Sequence, residues 1–214
     1  MLDGNPFLNF LCVEADDSFY DYLLFNLALI KAALPDCCVK TLKCLAGSEV
    51  ANIILVGEGG TKKAILCQDQ SSHYSHSQSV DCILEKCNVP QSAVSLLKVD
   101  VDGYDYDVVN SADSLINNKL PILFFECDYD DAAKKNKFKN LVDGLGSKGY
   151  SEWAVFDNYG ALMLKSCGRS DVLDLIEYVW RQKEGKSQRT MYYIDVLATS
   201  PADAELIYRA LDSY

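Results

Sequence analysis

The sequence predicts a three-layer α/β sandwich on a mostly parallel sheet, with an antiparallel hairpin added late. Three observations carry this expectation. Short apolar runs alternate with stretches whose apolar residues recur every three or four positions. Acidic residues follow the carboxyl ends of three of those runs, at Glu14, at Asp100 and Asp102, and at Glu126. Late in the chain, two apolar segments flank the turn Asn158-Tyr159-Gly160.

The elements follow in order. FLNFLCV from Phe7 reads as a buried strand, and Asp16 or Asp17 can cap the helix after it. Phe19, Leu23, Leu27, Ile30 and Leu34 form that helix's stripe, and Pro35 stops it. VKTLKCLAG is a strand, and VANIILVG, the turn EGG and TKKAILC make a hairpin. Residues 68–79 are polar and read as an exposed loop, VDCILEKC is a short apolar segment that Pro90 breaks, and SLLKVDV (95–101) is a second buried strand.

Tyr106, Val109, Ala112, Leu115 and Ile116 predict a helix, PILFFECD a third buried strand, and Phe138, Leu141, Val142 and Leu145 another helix that ends near Gly149. EWAVFD and ALMLKS form the hairpin. A helix over 171–183, the strand MYYIDVLAT and a short helix after Pro201 complete the chain. We expect one domain over residues 1–214.

The net charge of −11 weighs against nucleic acid and anionic membrane surfaces, because both need Lys and Arg. No apolar run approaches the roughly 18 residues of a membrane span, and the N-terminus has no basic leader. Nine cysteines, an odd number, scatter through apolar stretches. They read as small core residues of a reducing, cytoplasmic compartment. Zinc is disfavoured: only Cys37 and Cys38 are adjacent, no C-x-x-C pair exists, and the two histidines lie far from that pair in sequence. We expect no metal.

In open α/β sheets, ligands bind beyond the carboxyl ends of the strands. Glu14 there can accept hydrogen bonds from a ribose diol; it can equally cap its own helix. DVDGYDYD (100–107) is not a calcium loop, since glycine stands fourth and Ser111 takes the twelfth place where Glu is required. Its D-x-D also suits a metal-dependent glycosyltransferase. His73 and His76 flank Tyr74 in the polar loop. They are exposed loop residues, or the loop is a lid on which His73 is a candidate base and Tyr74 a sugar-stacking ring.

LLKVDVDGYDYDVVNSADSLI resembles the signature of the FkbM-type S-adenosylmethionine-dependent O-methyltransferases, a buried strand running into K-x-D-x-E-G-x-E and a helix. Lys98, Asp100, Asp102, Gly103 and Asp105 fill that pattern, with Asp for Glu at 102 and 105. LCVEADDSFYDYLLFN, SVDCILEK, PILFFECD, GYSEWAVFDNYGALML and YYIDVLA resemble further family segments in the same order. The resemblance implies a Rossmann-like class I methyltransferase sandwich and methyl transfer to a hydroxyl of a sugar, polysaccharide or related small molecule. It also implies that Glu14, Ala46, Gly47, Ser48, Lys98 and Asp100 bind S-adenosylmethionine, with Asp100 and Asp102 at the reacting centre.

The family's first motif, a central strand and a D-x-G-x-x-x-G turn, belongs before Phe7, where six residues stand. Val56-Gly57-Glu58-Gly59-Gly60 is no substitute, because a strand follows it and a cofactor turn opens a helix. The expectation is therefore an N-terminally incomplete enzyme domain, or a non-catalytic binding or assembly module on the same scaffold, binding the cofactor weakly or not at all. Either the strands ending at Glu14 and Asp100 pair directly, or their facing edges stay open. An exposed sheet edge makes a homo-oligomer a further expectation.

Overall fold

A computed structural model describes residues 9–48, 53–57, 63–66, 76–185 and 191–213. β1 (Asn9–Glu14) leads into α1 (Asp17–Ala33), with Asp16 as N-cap, its carboxylate accepting from Ser18 and Phe19 N–H. β2 (Cys38–Lys43) pairs in parallel with β1. β3 (Leu45–Ala46) follows, then β4 (Ile53–Val56) and β5 (Lys63–Leu66), which form the expected antiparallel hairpin. β6 (Ser77–Gln78) pairs in parallel with β3, so the end of the expected polar loop is a strand. Residues 68–75 of that loop, with His73 and Tyr74, lie outside the described residues.

The segment VDCILEK is helix α2 (Val80–Lys86), capped by Ser79. After β7 (Leu96–Val99), the single helix expected over 106–116 is two, α3 (Asp105–Asn110) and α4 (Asp113–Lys119). Ser111 marks the break: its hydroxyl donates to the Val108 carbonyl and accepts from Val80 N–H. Such local side-chain bonds compete with the helix ladder. The apolar spacing survives the break, and Val109, Ala112, Leu115 and Ile116 are all buried.

β8 (Ile122–Cys127), α5 (Ala132–Lys148), β9 (Glu152–Asp157), β10 (Leu162–Cys167), α6 (Arg169–Glu184), β11 (Ile194–Thr199) and α7 (Ala204–Asp212) complete the order. The main sheet has the order β10-β9-β11-β8-β7. Pairing is parallel for β7 with β8 and antiparallel for β11 with both β8 and β9, and for β10 with β9. Hence β7, β8 and β9 run one way, and β11 and β10 run the other. The fold is α/β as expected, with three of the five strands of this sheet running in one direction, β11 inserted antiparallel between β8 and β9, and β9 and β10 forming the late hairpin.

Helices α3, α5 and α6 cover one face of this sheet, burying Phe138, Leu141, Val142 and Leu145 of α5 and Val172 and Ile176 of α6. Each such side chain contributes about 1.5–3 kcal/mol by leaving water. Tyr150 and Tyr129 hide their rings there and donate to the Pro121 and Ile176 carbonyls.

Two expected buried strands are edges instead. Among the described residues β1 pairs only with β2, and β7 only with β8. Ile122 N–H donates to the Ser95 carbonyl, so alternate backbone groups of β7, at Leu96 and Lys98, point away from β8. With no described strand on that side, Leu96 is 56% exposed and only Val99 of β7 is buried. β1 likewise has no buried residue. The stripe on α1 is corrected for the same reason: only Leu27 is buried, and Ile30 and Leu34 reach solvent because no described element covers them.

Candidate functional site

The carboxyl ends of β7, β8 and β9 and the amino end of β11 lie at one end of the main sheet. There Asp100 pairs with Lys98 at 2.7 Å, both side chains more than half exposed. The chain then turns sharply. Asp102 and Gly103 both have positive φ, +51° and +84°. Only glycine adopts the second angle cheaply, and Asp128 lies against it, 3.7 Å from where a β-carbon would stand.

Asp105 is fully buried at the start of α3. Its carboxylate accepts from Val101 N–H at 3.4 Å and from Glu126 N–H at 3.3 Å, tying the turn to β8. Burial pushes its carboxyl up to about 7, against the backbone donors that favour the ionised form. Glu126 and Asp195 stand opposite each other on β8 and β11. Burial first, and then the charges of Asp105, Asp128, Asp100 and Asp195, push Glu126 up to about 8. Burial and Asp100 push Asp195 up to about 6, while Lys98 pulls it down. Asp128 is held separately by Lys183, whose ammonium lies 3.1 Å away and over the Tyr129 ring. This end of the sheet thus holds carboxyl groups that resist ionising together and that an added cation would favour ionised.

Glu14 ends β1, and its Oε1 accepts from Ala15 and Asp16 N–H, both at 2.8 Å, while Oε2 makes no hydrogen bond among the described residues. Its carbonyl accepts from Cys44 N–H at the β2–β3 junction. Ala46 pairs with Gln78, Gly47 N–H donates to the Gln78 carbonyl at 2.9 Å, and the Ser48 carbonyl accepts from the Ser77 hydroxyl. The Tyr104 ring covers buried Gly47, and its hydroxyl bonds to Ser77. The segment Ala46–Ser48 is therefore brought beside the turn that follows Asp102, with its backbone already bonded and Gly47 capped by a ring. Glu14 keeps its carboxylate on its own turn, and Asp100 keeps its own on Lys98. His73 lies outside the described residues, and His76 is exposed.

Sequence reasoning passed over Asp105, Asp128, Lys183 and Asp195 as site residues. Asp195 carried a signal, since it interrupts the apolar run IDVLAT of a strand buried among others. The burial of Asp105 and the reach of Lys183 from α6 depend on packing between distant segments. Among the described residues, no group of three or more His, Cys, Asp or Glu side chains has the geometry to hold a metal ion. No described helix is long and apolar enough to cross a membrane. A shallow depression lined by Val109, Asn140, Leu141 and Lys148 lies among α3, α4 and α5 rather than at the strand ends.

No protein-family model matches the chain, and no curated protein matches it. Among solved structures, the chain is similar to a crystal structure of Methyltransferase FkbM from Methylobacillus flagellatus KT, at 13% identity and a TM-score of 0.39. The match covers 87% of this chain and 36% of that one, so the chain spans about a third of that protein's length.

Proposed function

We propose that the chain is an S-adenosylmethionine-dependent O-methyltransferase domain acting on a hydroxyl of a sugar, polysaccharide or related small molecule, in a reducing cytoplasmic setting. Two things support the reading: the signature-like run Lys98 to Asp105, and the electrostatics of the strand ends on which it sits. The observation that carries it is the facing pair Glu126 and Asp195 with Asp100 nearby: burial and the neighbouring negative charges hold the Glu126 and Asp195 carboxyls well above their ordinary range. A cation beside them would restore their ionised forms.

The bound cofactor would supply an electrophilic methyl on a positively charged sulfur. Asp100, Glu126 and Asp195 would favour that charge, and Glu14 Oε2 would accept from the ribose hydroxyls. Lys98 would hold Asp100 in place. Asp102 and His73 are the groups proposed to take the acceptor's proton. A second reading, a non-catalytic binding module, is favoured by the Tyr104 ring over Gly47, which leaves Ala46, Gly47 and Ser48 less open to an adenine than the resemblance implies.

Titration calorimetry with S-adenosylmethionine and with its neutral-sulfur product S-adenosylhomocysteine tests the reading. We expect weak binding of S-adenosylmethionine, with Kd on the order of 1 mM, that tightens several-fold from pH 6 to pH 8.5. The product should lack that pH dependence. Absence of binding, or an equal pH dependence for both ligands, overturns the methyltransferase reading in favour of the binding module. Micromolar binding contradicts the need for a glycine-rich first motif.

A further inference from the structure

The backbone of Tyr104 is fixed without help from its ring. Its N–H donates to the Val101 carbonyl at 3.3 Å, and its carbonyl accepts from Asp107 and Val108 N–H at 3.1 and 3.2 Å, the opening bonds of α3. The side chain lies half-buried at the margin of the core and makes no ring–ring contact among the described residues. Its ring rests on buried Gly47, where glycine leaves the backbone bare enough for a flat ring to lie on it. Its hydroxyl bonds to buried Ser77, whose own hydroxyl donates to the Ser48 carbonyl. Ring and hydroxyl together close over residues 46–48.

Given the S-adenosylmethionine reading proposed above, we infer that the Tyr104 side chain is a latch on the adenine seat at residues 46–48. Closed, the phenol ring stands in the place of the purine, since both are flat, apolar on their faces and polar at an edge. The alternative is a purine stacked between Tyr104 and Gly47. That sandwich needs the two about 7 Å apart, twice a contact distance of about 3.5 Å. They are instead in direct contact, so close that a β-carbon at 47 would overlap the ring.

Ring and purine therefore cannot lie on Gly47 together. Binding needs the side chain to turn about χ1 into another staggered rotamer, and the bonds that open α3 do not involve the ring. The Ser77 bond sets how much of the chain is closed. The apparent dissociation constant is the intrinsic one divided by the open fraction. Two controls on one ligand are thus separate: the acids at the strand ends act on the sulfonium, and Tyr104 acts on the base.

Titration calorimetry with S-adenosylhomocysteine, which carries the adenosine without the sulfonium charge, reads the latch. Tyr104→Phe keeps the ring and removes the hydroxyl, and should tighten binding about fivefold, the effect of one hydrogen bond. Ser77→Ala should give the same gain and the double variant no more, because both release one bond. Tyr104→Ala empties the seat and should tighten binding by about tenfold or more. In each variant the pH dependence of S-adenosylmethionine binding should stay as in the parent, because the acids are untouched, and the circular-dichroism spectrum of Tyr104→Phe should not change. A parent that binds with that pH dependence, while Tyr104→Phe and Tyr104→Ala bind no tighter, overturns the latch and leaves the methyltransferase reading standing. Weaker binding by Tyr104→Ala overturns it too, by making the ring a stacking partner. If neither the parent nor Tyr104→Ala binds either ligand, the latch and the reading both fall.

Discussion

Gly47 lies directly beneath Tyr104, so close that a β-carbon at 47 would stand 2.5 Å from Cε1 of the ring. The contact joins the end of β3 to the turn after β7 and brings two segments, 57 residues apart in sequence, to one end of the fold. Gly47 also holds φ at +152°, an angle L side chains rarely adopt.

Gly47→Ala should therefore destabilise the fold by about 1–3 kcal/mol, from both the backbone angle and the displaced ring. Chemical denaturation measures the loss. Tyr104→Ala in the same chain should relieve the steric part and leave the backbone part, so the double variant loses less than the sum of the two single ones.

A second long-range tie is at Asp81. The N-cap position of helix α4 is Ala112, which has no capping side chain, and Asp81 on α2 supplies the cap instead. Its carboxylate accepts from Ser114 N–H at 2.9 Å and from Leu115 N–H at 3.0 Å. Asp81→Ala should cost about 1–2 kcal/mol in denaturation midpoint analysis, and Asp81→Asn less, because one acceptor remains.

Much of this architecture is legible in the sequence, because the period of apolar residues is set by local geometry. A cap at Asp16 or Asp17, the two hairpins and the buried positions of α5 follow from local sequence alone, and the structure selects Asp16. Burial of β1, β7 and the α1 stripe did not follow. An apolar run states what a segment can bury, and Leu96, Ile30 and Leu34 have no described neighbour to bury against. The site shows the same division. Asp100, Asp102 and Glu126 announce themselves at strand ends, but the charge state of Glu126 depends first on its burial and then on Asp105, Asp128 and Asp100, with Asp195 of the inserted strand β11 adding least, and packing between distant segments sets all of these.

Stability should fall as pH rises from about 5 to about 8.5. Asp195, Asp105 and Glu126 all have folded-state values, about 6, 7 and 8, above the ordinary 3.8, 3.8 and 4.5 of an unfolded chain. The folded chain thus holds protons that the unfolded chain releases. That contribution is full below the unfolded values and is lost as pH climbs through the folded ones. Thermal melts across this window should show a declining midpoint. Glu126→Gln should flatten the slope and raise stability at pH 8.5 by about 1 kcal/mol, a figure already reduced for partial exposure. A midpoint that rises with pH would contradict the burial of these acids.

The Lys98–Asp100 pair should act on the site rather than on the fold. Both side chains are more than half exposed, and such a pair is worth about 0–1 kcal/mol in stability. Its two members nevertheless push the Asp195 carboxyl in opposite directions, Asp100 upward and Lys98 downward, on top of the larger effect of burial. Following the Asp195 side-chain carbonyl by NMR titration separates them. Lys98→Met should move its midpoint above about 6, because the stabilising cation is gone while Asp100 stays. Asp100→Asn should move it below, because the repulsion is gone while Lys98 stays. Each substitution should leave the denaturation midpoint nearly unchanged. If both shift Asp195 the same way, the turn after β7 holds these two side chains in a different arrangement, and the cation seat proposed at the strand ends loses its electrostatic basis.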